Sequence, residues 1–118
     1  MEIGVSRSRA ALVWLVQAAS GIILILLLIL HLVANHFVVP GGLQNFQDVV
    51  NYLSNPLVFV LEAAFLMVVV VHALLGVRAI LLDRGMTPAA IARLDTRLWI
   101  AGILAVVYGV LVSILVVI

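Results

Sequence analysis

Two histidines lie inside long apolar segments of this chain, where an ionisable side chain is unusual. His31 follows the unbroken apolar run of residues 22–30, and His72 follows a second such run at residues 63–71. An imidazole in the hydrocarbon layer of a membrane costs free energy, so a functional role is the expectation for both. Imidazole is the usual protein ligand of haem iron. We therefore predict that His72 and His31 are axial ligands of haem iron in a membrane.

Composition and segment length indicate which elements carry these histidines. The chain has 118 residues, of which 67% are hydrophobic and 9% are charged, and its mean hydropathy is +1.42. This leaves too little polar surface to coat a soluble globule. A helix of about 20 apolar residues, rising about 1.5 Å per residue, crosses about 30 Å of hydrocarbon. We expect an all-α membrane protein, a single domain with transmembrane helices at about residues 10–35, 56–82 and 98–118.

Positive charge marks one end of the expected bundle. Five arginines precede the first apolar stretch or separate the second from the third: Arg7, Arg9, Arg84, Arg93 and Arg97. Residues 36–55, which join the first and second stretches, contain no Lys or Arg. The positive-inside rule then places the N-terminus in the cytoplasm. The net charge of +1 is too small to favour nucleic acid as a partner.

The loop between the first and second stretches predicts one further element. A Pro-Gly-Gly turn is followed by Phe46, Val49 and Leu53 at helical spacing. An amphipathic helix of this kind lies in the interface between membrane and water. We expect such an interfacial helix at about residues 43–53.

The depths of the two histidines differ too much for them to share one iron. His72 lies ten residues before Leu82, about 15 Å from that end, whereas His31 lies twenty-one residues after Ala10, about 31 Å in. The two axial nitrogens of one haem iron are only about 4 Å apart. If both histidines are ligands, the assembly holds two haems, one nearer the cytoplasm and one nearer the outside. A partner subunit then supplies each second ligand.

Residue types that the chain lacks exclude other redox chemistry. It has no cysteine, so it cannot hold an iron–sulfur cluster through thiolates, and it has no glycine-rich phosphate loop or dinucleotide fingerprint. Three helices also enclose too little space for a haem with protein ligands on both faces. Any reaction that moves electrons here needs other subunits, including a second one in the membrane.

The spacing around both histidines resembles that of a known family. The pattern His72-x-x-x-Gly-x-Arg-x-x-x-x-Asp-x-Gly85 is similar to the second helix of the membrane-anchor cytochrome b subunits of succinate dehydrogenase and fumarate reductase, respiratory complex II. The segment His31-Leu-Val-Ala-Asn-His-Phe37 resembles the first helix of members that bind two haems. Ser54-Asn-Pro, followed by Leu-Glu62, also recurs between those elements. The resemblance covers nearly the whole chain.

This resemblance implies a role in electron transfer as a non-catalytic subunit. His72 would bind haem b nearer the catalytic subunits, and His31 would bind a distal haem. Succinate would be oxidised on a flavoprotein subunit, and electrons would pass through an iron–sulfur subunit to quinone at this membrane domain. A second membrane-anchor subunit would share the haem, and the complex would lie in a prokaryotic cell membrane.

Two departures from the family pattern bear on the quinone. Ubiquinone-reducing members have an Arg-x-Ser-Gly group in the first helix, where this chain has Ala18, and an Asp-Tyr pair where Arg84 follows Asp83 here. The ubiquinone site is therefore absent or rebuilt, and likeness to two-haem members favours menaquinone. Both anchor subunits share the His-x-x-x-Gly pattern, so the resemblance leaves open which of the two this chain is.

Further polar residues are candidates for the same site. Arg78 can pair with a haem propionate or reach lipid phosphate. Glu62, at a depth similar to that of His31, can act as a proton relay or hydrogen-bond to a neighbouring helix. A quinone headgroup near the cytoplasmic boundary would meet five residues: Trp14, Gln17, Ser20, Asp83 and Arg84.

Two other functions fit the same residues. The chain can be the b-type cytochrome anchor of another respiratory dehydrogenase, such as a formate dehydrogenase or a hydrogenase. It can also be a haem-free scaffold or small transport component, in which His31 and His72 only form hydrogen bonds between helices.

Overall fold

The computed structural model describes residues 2–42 and 45–118, and the described part is built from helices without a strand. Helix α1 spans Glu2–Val33 and continues into a π-helical turn at Ala34–Val38. The short helix α2 spans Phe46–Leu53, and two long helices follow, α3 at Pro56–Leu82 and α4 at Pro88–Val117. Helices α1, α3 and α4 are long and apolar enough to cross a membrane. The prediction of an all-α fold with three transmembrane helices is confirmed, and the chain is a multi-pass membrane protein.

Capping residues mark the starts of α3 and α4, and only the start of α3 coincides with the edge of its apolar stretch. The side chain of Asn55 accepts a hydrogen bond from the Leu57 amide at 2.9 Å, and a proline occupies the first turn of α3. Thr87 does the same for the Ala90 amide at 3.3 Å, again just before a proline. These are strong helix-start features, because they satisfy amides that have no partner in the first turn. Helix α4 therefore begins ten residues before the apolar stretch that starts at Leu98.

Helix α2 is fixed at its start by a capping box. The side chain of Asn45 accepts from the Asp48 amide at 3.0 Å, and the Asp48 carboxylate accepts from the Asn45 amide at 3.1 Å. The helix predicted at residues 43–53 is thus present from Phe46, while residues 43 and 44 lie outside the described part of the chain. Its most buried residue is Tyr52, 8% exposed, which the apolar spacing did not single out.

Helix α3 lies between α1 and α4 and packs against both. Two glycines bring α4 close to α3, because a Cβ atom added to Gly102 would lie 2.8 Å from Leu74 Cδ1. A Cβ atom on Gly109 would lie 2.5 Å from Leu66 Cδ2. Small residues of this kind allow helices to pack closely in a membrane. Lipid tails are as apolar as the side chains there, so helix association depends on van der Waals packing.

Few side chains are buried within this chain alone. Among the residues whose side chains are described, only Ser20 and Tyr52 are buried, each 8% exposed. Large apolar side chains on all three long helices are more than half exposed, and Trp14, Trp99 and Tyr108 are at least 70% exposed. Lipid or other helices must therefore cover most of the apolar surface.

Candidate functional site

A first polar cluster, the Ser20 cluster, joins α1 to α3 and contains Gln17, Ser20 and His72. Ser20 Oγ lies 3.0 Å from His72 Nδ1 and 2.9 Å from the backbone oxygen of Gln17. A carbonyl oxygen only accepts, so the single hydroxyl hydrogen of Ser20 goes to Gln17. The hydroxyl oxygen must then accept from His72, which places the imidazole proton on Nδ1. The other ring nitrogen, Nε2, keeps its lone pair and has no hydrogen-bond partner among the described residues.

Two glycines shape the space around the Ser20 cluster. A Cβ atom on Gly21 would lie 3.2 Å from His72 Cε1, tighter than ordinary van der Waals contact. A Cβ atom on Gly76 would lie 3.5 Å from Gln17 Nε2. The first glycine thus lets the His72 ring lie closer to α1 than a Cβ atom would allow without a small shift, whereas a Cβ atom at the second would make an ordinary contact with the Gln17 amide.

One polar atom of the Ser20 cluster has no hydrogen-bond partner among the described residues. Gln17 Oε1 is buried and has no hydrogen-bond partner within the described part of the chain. A buried acceptor without a donor costs free energy, so native structures pair such atoms with protein, water or ligand. Gln17 Oε1 is therefore a buried acceptor that the described residues leave unsatisfied.

A second polar cluster, the Glu62 cluster, lies toward α2 and contains His31, Asn35, Tyr52 and Glu62. His31 Nδ1 lies 2.7 Å from Glu62 Oε2 and 2.9 Å from Oε1. Tyr52 donates its hydroxyl to Glu62 Oε1 at 2.5 Å. Asn35 Nδ2 donates to the His31 carbonyl at 2.7 Å and to the Tyr52 oxygen at 3.2 Å. The cluster thus links α1, its π-helical turn, α2 and α3.

With Glu62 as a carboxylate, the hydrogens of the Glu62 cluster have one consistent assignment. The two amide hydrogens of Asn35 go to the His31 carbonyl and to Tyr52, so its 3.2 Å approach to His31 Nδ1 is a contact without a hydrogen bond. His31 then donates from Nδ1 to the Glu62 carboxylate. Burial, followed by the hydrogen bond to Glu62, raises the pKa of Tyr52 well above its ordinary value, so this hydroxyl stays a donor. His31 Nε2 is left with its lone pair.

The environment of His31 combines an aromatic contact with an open side. Its ring centroid lies 5.0 Å from that of Phe65, with the planes tilted by 32°. The side chains of His31 and Glu62 are 31% and 17% exposed. A cavity of about 370 Å³ lies beside them, bounded by α2, α3 and α4, with Tyr52 and Ser113 among its lining residues. The ring is thus held on one side and accessible on another.

The two clusters occupy different levels of the α1–α3 interface. Ser20 and His31 are eleven residues apart on α1, and Glu62 and His72 are ten residues apart on α3. At about 1.5 Å per residue these separations are about 16 Å and about 15 Å. Because the two separations are nearly equal, antiparallel packing of α1 and α3 brings Ser20 opposite His72 and His31 opposite Glu62. The geometry agrees with the expectation that the two histidines do not share one iron.

Arg78 lies against α4. Its Nε is 2.6 Å from Asp95 Oδ1 and its Nη2 is 3.2 Å from Asp95 Oδ2, a two-pronged ion pair. Six residues separate Arg78 from His72, which rotates the two side chains about 120° apart around the helix. The propionate role predicted for Arg78 stays a prediction, and the structure adds a protein partner that the sequence did not indicate.

The five residues predicted for a quinone headgroup are only partly brought together. Gln17 and Ser20 meet in the Ser20 cluster. Trp14 is 70% exposed, and Asp83 and Arg84 are exposed where α3 ends. Among the described residues, no side-chain hydrogen bond or ion pair joins these three to the Ser20 cluster, so their role stays a prediction.

Several residues in or beside the two clusters were not predicted from the sequence to have a role there. Gly21 was not assigned a role, and Asn35, Tyr52 and Phe65 were not recognised as surroundings of His31. Only the spacing of Asn35, one turn after His31, offers a hint, since residues four apart lie on one helix face. Tyr52 reaches the cluster because α2 folds back over the bundle, which no local spacing shows.

Comparison with known proteins gives one family. Residues 3–117 match the succinate dehydrogenase/fumarate reductase transmembrane subunit family. The succinate dehydrogenase hydrophobic membrane anchor subunit of Archaeoglobus fulgidus is 37% identical to this chain over 101 residues, which is 83% of each protein. No solved structure matches the chain.

Proposed function

Because this chain belongs to the family of succinate dehydrogenase/fumarate reductase transmembrane subunits, we propose that it binds haem b and helps pass electrons to quinone. It is a membrane-anchor subunit of that complex. In the proposal, a flavoprotein subunit oxidises succinate and an iron–sulfur subunit delivers the electrons. A second membrane-anchor subunit shares the haem. Bound haem b would supply one-electron transfer.

The hydrogen-bond direction in the Ser20 cluster carries the proposal. Ser20 accepts the Nδ1 proton of His72, and this leaves Nε2 as a neutral nitrogen donor with a fixed orientation. A metal-binding histidine usually has its second ring nitrogen held by such a hydrogen bond. Gly21 leaves room for the ring in this orientation. The donor chemistry and the fit of the ring thus match an axial haem ligand.

The Glu62 cluster fits a second ligand of a different kind. The carboxylate of Glu62 accepts from His31 Nδ1, which is the carboxylate–histidine arrangement found behind many metal ions. A carboxylate in this position fixes the tautomer and the orientation of a ligand imidazole. In the proposal, His31 holds the haem at the level of α2, and His72 holds the haem nearer the arginine-rich end, which bears Arg7 and Arg84.

The remaining assignments extend this proposal to the quinone and the membrane. Gln17 and Ser20 would contact the quinone headgroup with the exposed residues Trp14, Asp83 and Arg84, and menaquinone is the favoured acceptor. Glu62 would in addition be the candidate proton relay at the other end. The arginine-rich end would face the cytoplasm of a prokaryotic cell.

A haem count on the intact complex tests the proposal. The pyridine haemochrome of the detergent-purified complex would be measured per flavin for the unchanged protein, His72→Ala and His31→Ala. His36→Ala is the matched control, because His36 is exposed beyond the end of α1. We expect two b haems per flavin, one lost in each variant and none lost in the control.

The other possible counts separate the alternatives. A single haem that is lost only with His72→Ala would confine His31 to a structural role. Absence of haem from an intact, flavin-containing complex would overturn the proposal and favour a haem-free scaffold.

A further inference from the structure

We infer that Tyr52 is a positioning residue that holds the Glu62 carboxylate against His31. The inference deepens the proposed function, since it takes His31 to be a haem ligand. Tyr52 belongs to α2, outside the three long helices, yet it is 8% exposed and reaches into the bundle. Its hydroxyl donates to Glu62 Oε1 at 2.5 Å. This distance is shorter than the 2.7 Å between His31 Nδ1 and Glu62 Oε2.

The first step of the argument is that Glu62 needs such a partner. A glutamate has three rotatable side-chain bonds, and this one lines a cavity of about 370 Å³ into which its carboxylate can turn. His31 Nδ1 contacts both carboxylate oxygens, at 2.7 and 2.9 Å, but it holds the carboxylate from one direction only. The donor from α2 approaches from a different element and thereby fixes the second direction.

The second step is that no other described side chain does this. Asn35 uses its amide hydrogens on the His31 carbonyl and on the Tyr52 oxygen. Ser113 of α4 also lines the cavity, but it donates its hydroxyl to the backbone oxygen of Gly109 at 2.9 Å. Apart from His31, Tyr52 is therefore the donor to Glu62 within the part of the chain that the structure describes.

The third step concerns Asn35, which orients Tyr52 in turn. Its Nδ2 donates to the Tyr52 oxygen at 3.2 Å while it is anchored at 2.7 Å on the carbonyl of His31. The contacts run from the backbone of His31 through Asn35, Tyr52 and Glu62 back to the ring of His31. A closed ring of hydrogen bonds of this kind fixes the direction in which the free Nε2 points. Helix α2 thus acts on the ligand geometry as well as covering the end of the bundle.

The test measures haem retention in the assembled complex. Tyr52→Phe keeps the ring and removes the hydroxyl, and Tyr108→Phe makes the same chemical change at a residue that is 72% exposed. Haem release would be followed by transfer to excess apomyoglobin, and the low-spin signal of the oxidised haem by electron paramagnetic resonance. Loss of a direct partner of a metal ligand weakens binding by about 10- to 100-fold. Tyr52 acts one contact further out, through Glu62, so we expect faster haem release from the His31 site, by about tenfold at most. The control should leave release and spectrum unchanged.

A second pair of variants distinguishes positioning from general packing. In a Glu62→Gln background, Tyr52→Phe should add little, because the carboxylate that it positions is gone; residues that act through one contact are not additive. Asn35→Ala should accelerate release in the same direction as Tyr52→Phe but by less. It also serves as an independent variant if the tyrosine substitution lowers the yield of the complex.

The outcomes separate this inference from the proposed function. If His31→Ala removes a haem but Tyr52→Phe matches the Tyr108→Phe control in release rate and spectrum, the positioning role is overturned and the ligand assignment stands. Equal effects of Tyr52→Phe with and without Glu62→Gln would also overturn it. If His31→Ala keeps every haem, the ligand assignment fails, and the inference fails with it.

Discussion

His72 and His31 of this subunit both carry their ring proton on Nδ1, but they donate it to different partners. His72 donates to the neutral hydroxyl of Ser20, whereas His31 donates to the carboxylate of Glu62. A negative partner stabilises the oxidised, more positive state of a metal bound to the other nitrogen, and a neutral partner does so less. If both histidines bind haem as proposed, the comparison predicts two haems whose midpoint potentials differ because the residue behind each ligand differs. The haem on His31 is expected to have the lower midpoint potential.

The largest expected effect comes from closing the space beside His72. Gly21→Leu places a side chain where even a Cβ atom would lie 3.2 Å from the imidazole, so the ring must leave its position. We expect loss of the His72 haem and retention of the His31 haem, seen as half the haemochrome per flavin. Ala18→Leu on the exposed side of α1 is the control. Equal loss of both haems would show that the two levels are not independent.

The next effect comes from removing the charge that distinguishes the two clusters. Glu62→Gln keeps the shape of the side chain but takes away the negative partner of His31. The midpoint potential of the His31 haem should rise toward that of the His72 haem, and haem affinity at that site should fall by about tenfold or more. Potentiometric titration of the intact complex measures both potentials. A drop in the potential of the His31 haem, or a change confined to the His72 haem, would contradict the comparison.

A smaller effect is expected when the neutral partner is removed. Ser20→Ala deletes the acceptor of the His72 proton, and a neutral hydrogen bond contributes about 1 kcal/mol, which corresponds to about fivefold in haem release. The potential of the His72 haem should change less than that of the His31 haem does in Glu62→Gln. Thr at the same position restores a hydroxyl and should recover most of the retention. If Ser20→Ala were as damaging as Glu62→Gln, charge would not be the distinguishing feature.

The sequence is sufficient for the fold class but only partly for the clusters. Hydropathy and length predict three spanning helices because both depend on composition alone. A similar depth was also predicted for His31 and Glu62, and the structure places them in contact. The start of α4 at Pro88 was missed because hydropathy measures the apolar span and not the helix that contains it.

Contacts made by chain reversal could not be predicted from spacing. Tyr52 reaches Glu62 because α2 folds over the end of the bundle, and Asp95 reaches Arg78 because α4 returns along α3. Both partners are separated from their targets by a turn whose geometry the local sequence does not specify. In each case the residue type could be read from the sequence, but tertiary packing determined which residue its side chain contacts.

The smallest expected effect concerns Arg78, where the sequence and the structure lead to different expectations. A guanidinium on a haem propionate would stabilise the reduced state, so Arg78→Gln would lower the potential of the His72 haem. The structure instead gives Arg78 a carboxylate partner on α4, about 120° around α3 from His72, so the local charge is already balanced. We therefore expect the double variant Arg78→Gln, Asp95→Asn to leave both midpoint potentials unchanged. A lower potential of the His72 haem in both Arg78→Gln and the double variant would restore the propionate assignment. The His72 haem would then also have a charged contact, in addition to the neutral Ser20 behind its ligand.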